Sequence, residues 1–242
     1  MADTPELTSR SFTGWPAWAD LALDVVHYGP DIPTESDLRL LGKVEAKRVL
    51  ELGCGGGPVS VALAKQGAKV IAVDHSADQI GHARRLCERE EVTVELHHGD
   101  LADLAFVRAD TVDAAISVYS LGLVSDLDRV FRQVHRVLRP EAPFVISLPH
   151  PAWRALDRSE PPMLRRSYWE KAPIHWSDGT ESGTDHPVTI AELFTSLSRA
   201  NFRVDTVLEP EPVRTTARSR WWHQAMTSVP STLVVRARKH GT

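Results

Sequence analysis

Residues 48–57 read RVLELGCGGG, and a carboxylate, Asp74, closes the next apolar run, VIAVD. Glycines between a strand and a helix reach positive φ and let backbone N–H groups approach a ligand. The helix expected from Pro58 adds its own unsatisfied N–H groups and a partial positive charge. A carboxylate about 20 residues beyond such a turn is placed to accept a pair of ribose hydroxyls. The order Glu51-Leu52-Gly53-Cys54-Gly55-Gly56-Gly57 is E-x-G-x-G-x-G, without the two-residue gap before the third glycine of the dinucleotide pattern G-x-G-x-x-G. Glu51 would repel a pyrophosphate and attract a cationic ligand.

With its strand, its acid and Asp74, this segment resembles the first motif of the class I S-adenosylmethionine-dependent methyltransferases. S-adenosylmethionine carries an ammonium and a sulfonium and no phosphate. The chain is similar to the ubiquinone/menaquinone-type C-methyltransferases (methyltransferase type 11) and to small-molecule methyltransferases of actinobacterial type. The likeness covers residues 46–150, and 189–238 by topology. It implies a doubly wound, Rossmann-like α/β fold, seven mostly parallel strands with the last antiparallel. It also implies N-terminal helices and a lid insertion folded over the cofactor and the substrate mouth. One domain would span 1–242: a helical cap (1–45), the cofactor core (46–150), the insertion (151–188) and a closing helix and strands (189–242).

On the cofactor side the resemblance implies Glu51, Gly53, Cys54, Gly55 and Gly57, then Asp74 with its neighbour His75. Asp100, in GDL, matches the family acid that accepts from the adenine amino group, with Leu101 donating its backbone N–H. Val118, Tyr119 and Ser120 would line the methyl-donor side, and Tyr28 would close over the cofactor. Trp15, Trp18, Trp153, Tyr168 and Trp169 are the candidate substrate contacts.

Two residues could act in catalysis. His150, at the end of the fifth apolar run, is either a base for an acceptor proton or a local hydrogen-bonder in its Pro-His-Pro turn. Tyr119 either bonds the substrate or walls the adenosine pocket. Arg154, Arg158, Arg165, Arg166 and Lys171, with Arg214, Arg218 and Arg220, either clamp an anionic substrate or pair with acids on solvated faces. No sequence cluster has metal-ligand spacing, and Cys54, a small residue in a tight turn, lacks the nearby base or cation that activates a thiol.

The composition limits the alternatives. The chain has 242 residues, 42% of them hydrophobic, enough for a full core without disulfides. A net charge of −4 lacks the basic footprint of a nucleic-acid binder. The two cysteines make no disulfide framework, so a cytoplasmic, monomeric or homodimeric protein is expected. MADTPELTSR has no apolar core of a leader. The expected function is methyl transfer to O, N or C of a small molecule. The competing functions are an RNA-modifying methyltransferase and a regulatory protein that binds the same cofactor.

The elements that must position these residues follow from pattern. Short apolar runs at 47–52, 69–74, 92–100, 110–119 and 142–149 alternate with helical periods at 58–67, 76–90 and 125–140, the alternation of a parallel sheet covered on both faces. Residues 15–29 and 34–42 read as two helices. Residues 150–187 are rich in proline and aromatic residues (Trp153, Tyr168, Trp169, His175, Trp176) and show little periodicity, as a lid would. Thr189 with Glu192 forms a capping box, and 202–210 and 231–238 read as the final strands.

Overall fold

The structure is a computed structural model that describes residues 21–157, 162–177, 182–215, 218–219 and 221–241. Trp15, Trp18, Arg158 and Arg220 lie outside the described residues. Strands β1 (Arg48–Leu52), β2 (Lys69–Asp74), β3 (Val94–His98), β4 (Ala114–Val118) and β5 (Pro143–Pro149) are joined by parallel pairings. β10 (Phe202–Leu208) and β11 (Thr232–Lys239) complete a seven-stranded sheet of order β10-β11-β5-β4-β1-β2-β3. β11 runs antiparallel to both β5 and β10. The expected doubly wound sheet is therefore present, with its closing strand reversed. The chain leaves β1 for β2 on one side and reaches β4 on the other, so the order reverses at β1, and ligands of open α/β sheets bind at such a point.

Successive residues of a strand face opposite sides, and each side has its own core. Leu50, Leu52, Ile71 and Val73 meet Val130, Phe131, Val134 and Val137 of helix α4 (Leu127–Val137), together with Leu193 and Leu197 of α6 (Ile190–Arg199). Val49, Val70, Ala72 and Ile116 face Val59, Ala62 and Leu63 of α2 (Pro58–Lys65) and Ile80 of α3 (Ala77–Arg89). The central strands are covered on both faces, which is why they read as continuous apolar runs. The helix starts follow their capping residues: Ser76 accepts from the Gln79 N–H, Asp126 from the Arg129 N–H, and Thr189 and Glu192 form the reciprocal box.

Two sequence expectations are corrected. Residues 21–34 are not helical; a single turn of helix, α1, covers Glu35–Leu38. The chain here is ordered by side chains instead: Glu35 accepts from the Tyr28 hydroxyl at 2.6 Å and from the N–H groups of Leu40, Leu41 and Gly42. Ser147 donates to the Tyr28 carbonyl, tying this segment to β5. The insertion, in turn, is not structureless. It opens with α5 (Pro151–Ala155) and contains two small antiparallel pairs, β6 (Leu156–Asp157) with β7 (Met163–Leu164) and β8 (Ile174–Ser177) with β9 (Ser182–Asp185). Among the described residues no helix is long and apolar enough to cross a membrane.

Candidate functional site

The glycine turn at the end of β1 is held by contacts that only small residues allow. Gly53, Gly55 and Gly57 have φ of 71°, 50° and 88°, where a side chain is strained. A Cβ on Gly53 would collide with Ser120. Ser120 Oγ donates to the Leu52 carbonyl at 2.7 Å, and Ser117 Oγ donates to the same oxygen at 3.0 Å. These two serines bind the ends of β1 and β4 together at the switch point. Ser120 was expected from the sequence on the methyl-donor side; Ser117 was not, and the signal for it is a polar residue inside the buried run AAISVYS.

Two carboxylates underlie the turn. Asp74 accepts the Gly55 N–H on Oδ2 at 2.8 Å and the Ser76 N–H on Oδ1 at 2.9 Å. Each carboxylate oxygen retains a second lone pair for a ligand hydroxyl. Glu51 is buried and accepts from the Ser60 hydroxyl at the start of α2. Burial chiefly, and the nearby Asp74 charge, push its carboxyl up to about 8, against which the Ser60 hydrogen bond works. Burial also holds the Cys54 thiol well above its usual value, reinforced by Glu51 and Asp74, so this cysteine is no nucleophile. His75 is exposed at the rim, its Nδ1 3.6 Å from Asp74 Oδ1. At the next strand end the exposed Asp100 accepts the Ala102 N–H at 2.8 Å, and Leu101 is buried with a methyl 3.6 Å from where a Gly53 Cβ would lie.

On the other side of the turn the structure reassigns several candidates. Val118 and Tyr119 are buried at the end of β4, and Tyr119 has a positive φ of 58°. Its hydroxyl lies 2.6 Å from Thr232 Oγ1, and burial raises the phenol further from ionisation. That environment holds the Tyr119 hydroxyl in a core contact with Thr232, which favours the wall over the substrate contact. His150 caps α5: Nδ1 accepts the Ala152 N–H at 3.1 Å, so the ring proton sits on Nε2 and is donated to Glu209 Oε1 at 2.8 Å. Both ring nitrogens are committed, and the imidazole lacks a lone pair for an acceptor proton. Tyr28 belongs to the core, its hydroxyl held by Glu35, not to the cofactor rim.

The candidate substrate aromatics separate. Trp153 is buried in the core beside the ring of His223, with centroids 6.1 Å apart. The Ile190 N–H donates to the Tyr168 hydroxyl at 3.4 Å, and Trp169 is exposed. Several of the basic residues are paired: Arg166 with Glu170, Lys171 with Glu192, Arg154 with Asp185, while Arg218 stacks on Trp222.

Comparison with known proteins agrees with this geometry. Residues 49–141 match the family model described as a methyltransferase domain. A ubiquinone biosynthesis O-methyltransferase of Azorhizobium caulinodans is 24% identical over 69% of this chain and 63% of its own length. One from Hahella chejuensis is 32% identical over 42% of each. The chain thus spans less than two thirds of the length of the curated relatives it matches. An S-adenosylmethionine-dependent methyltransferase structure from Mesorhizobium loti superposes with a TM-score of 0.69 at 26% identity, over 84% of this chain and 96% of that one. The cofactor this family implies suits the residues present: Asp74 sits beneath the glycine turn with lone pairs left for hydroxyls, and a cation, unlike a phosphate, would favour ionised Glu51. Residues 49–141 thus match a methyltransferase domain, and the chain is similar over most of its length to an S-adenosylmethionine-dependent methyltransferase of known structure.

Proposed function

We propose that this chain transfers a methyl group from S-adenosylmethionine to a small-molecule acceptor. The observation that carries the reading is the pair Glu51 and Asp74, buried under a turn of three positive-φ glycines at the sheet's switch point. Asp74 would hold the ribose hydroxyls and Asp100 the adenine, and the cofactor's positive end would draw Glu51, held near 8 in the unliganded chain, into its ionised form. The cofactor supplies an already electrophilic methyl, so the chain's own work is to align the acceptor and exclude water. The acceptor would enter beside Ser120 and the insertion. Acidic net charge favours a small molecule over RNA. The two cysteines are free and buried, as suits a reducing cytoplasm.

Calorimetric titration with S-adenosylhomocysteine and, separately, with NAD tests this directly. Binding of the first with weak or no binding of the second is expected. The reverse order would contradict the reading, since it would mean that a pyrophosphate is tolerated above Glu51.

A further inference from the structure

The insertion brings a buried ion pair to the face of the sheet where β4 ends. Arg154 on α5 places Nη2 3.3 Å from Oδ2 of Asp185, the last residue of β9. Their side chains are 12% and 3% exposed. The pairing leaves one atom of each group over: Arg154 Nε and Asp185 Oδ1 are buried without a hydrogen-bond partner. A donor and an acceptor left bare in the interior are costly, and together they point to a ligand that completes both.

Their place in the fold is specific. Both pack against Gly122, two residues past Ser120. A Cβ there would strike the Arg154 guanidinium and lie 3.5 Å from Asp185 Oδ1. The His186 N–H donates to the Gly122 carbonyl at 2.7 Å, stitching the end of β9 to this turn. His150 sets the pair from the other side, since the Arg154 N–H donates to its carbonyl in the helix that its ring caps. The charges acting on Asp185 are those of Arg154 and His186; burial outweighs them and holds its carboxyl above the usual range.

We propose that Arg154 and Asp185 grip a hydroxyl group of the methyl acceptor, Arg154 donating to its oxygen and Asp185 Oδ1 accepting its hydrogen. The inference rests on the methyltransferase reading and extends it to the acceptor's chemical class, an alcohol or phenol. The pair carries no net charge, so a carboxylate would be opposed by Asp185 and an ammonium by Arg154. A hydroxyl fits because it donates once and accepts twice. Ionisation is balanced within the site: the O–H bond breaks, the proton goes to Asp185 Oδ1, and the negative charge left on oxygen faces the guanidinium. That leaves a nucleophilic oxygen stabilised by a fixed cation.

The test uses phenol as the probe on protein carrying 13C-labelled aspartate carboxyls and saturated with S-adenosylhomocysteine. The Asp185 carboxyl signal is assigned by its loss in Asp185→Asn. Phenol should shift that signal saturably, and toluene, which lacks the hydroxyl, should not. Phenol affinity should fall by about tenfold or more in Arg154→Gln and in Asp185→Asn. A signal unmoved by phenol, or moved equally by toluene, overturns the proposal even if both variants fail to fold, because that arm uses the wild-type chain. Failure of S-adenosylhomocysteine to bind at the outset is a separate outcome, and it overturns the methyltransferase reading on which this one stands.

Discussion

Glu51→Gln should stabilise the unliganded protein, by an amount that grows with pH. The folded state holds the Glu51 carboxyl near 8 against an ordinary value of 4.5. A carboxyl raised in this way contributes stability that is fully present below about pH 4.5 and is lost as pH rises through about 8, because the folded form binds the proton more tightly than the unfolded one. One unit corresponds to about 1.4 kcal/mol, so the wild-type chain has given up about 3 kcal/mol by pH 7. Glutamine keeps the volume and can still accept from Ser60, but it carries no titrating proton. The gap in unfolding free energy between variant and wild type should widen by about 2–3 kcal/mol from pH 6 to pH 9 and level off above about pH 8. Urea unfolding at four pH values with a common m-value measures it. A gap that stays constant with pH would refute the reasoning, since it would mean that Glu51 ionises in the folded state as readily as in water. A bound cation beside Glu51 would reverse the trend, so the affinity for S-adenosylhomocysteine should rise between pH 6 and pH 8.

His150→Ala should cost about 1–2 kcal/mol through the lost cap of α5 and the lost Glu209 contact, seen in urea unfolding; an unchanged stability with a turnover loss of about 10²-fold or more would restore the base role. Gly53→Ala should reduce the folded fraction or abolish cofactor binding, because Ser120 occupies the space a Cβ needs; a variant with wild-type melting and affinity contradicts that packing. Tyr28→Phe should lose about 1–2 kcal/mol by leaving Glu35 one donor short, measured by the same denaturation. Asp100→Asn should weaken S-adenosylhomocysteine less than removal of Asp74 does, and equal affinity to wild type would take Asp100 out of the site.

The glycine turn and the acids beneath it were readable in sequence because their signals are local. Glycines at positive φ, an acid before them and a carboxylate closing the next strand all lie within 28 residues, from 48 to 75, and continuous apolar runs mark strands covered on both faces. The pair proposed to meet the acceptor was not, because its contacts join distant parts of the chain. Arg154 and Asp185 meet across the insertion, and the ring of His150 is turned into a cap by Glu209, a partner far along the sequence. Residues 21–29 were misread as helix for the same reason. Trp18, Leu21, Ala22 and Val25 recur at helical spacing, but Glu35 satisfies the backbone N–H groups of residues 40–42 and fixes Tyr28 in the core instead. The short strands of the insertion, two to four residues long, carry too few side chains to show a period.

The central claim is that Asp74, under the glycine turn, holds the sugar of a nucleoside cofactor. The most direct measurement is the calorimetric affinity for S-adenosylhomocysteine of Asp74→Ala beside wild type, with folding of the variant checked by circular dichroism. Loss of a charged acceptor for two ribose hydroxyls should weaken binding by about ten- to a hundredfold. A folded Asp74→Ala protein that binds as tightly as wild type would contradict the account.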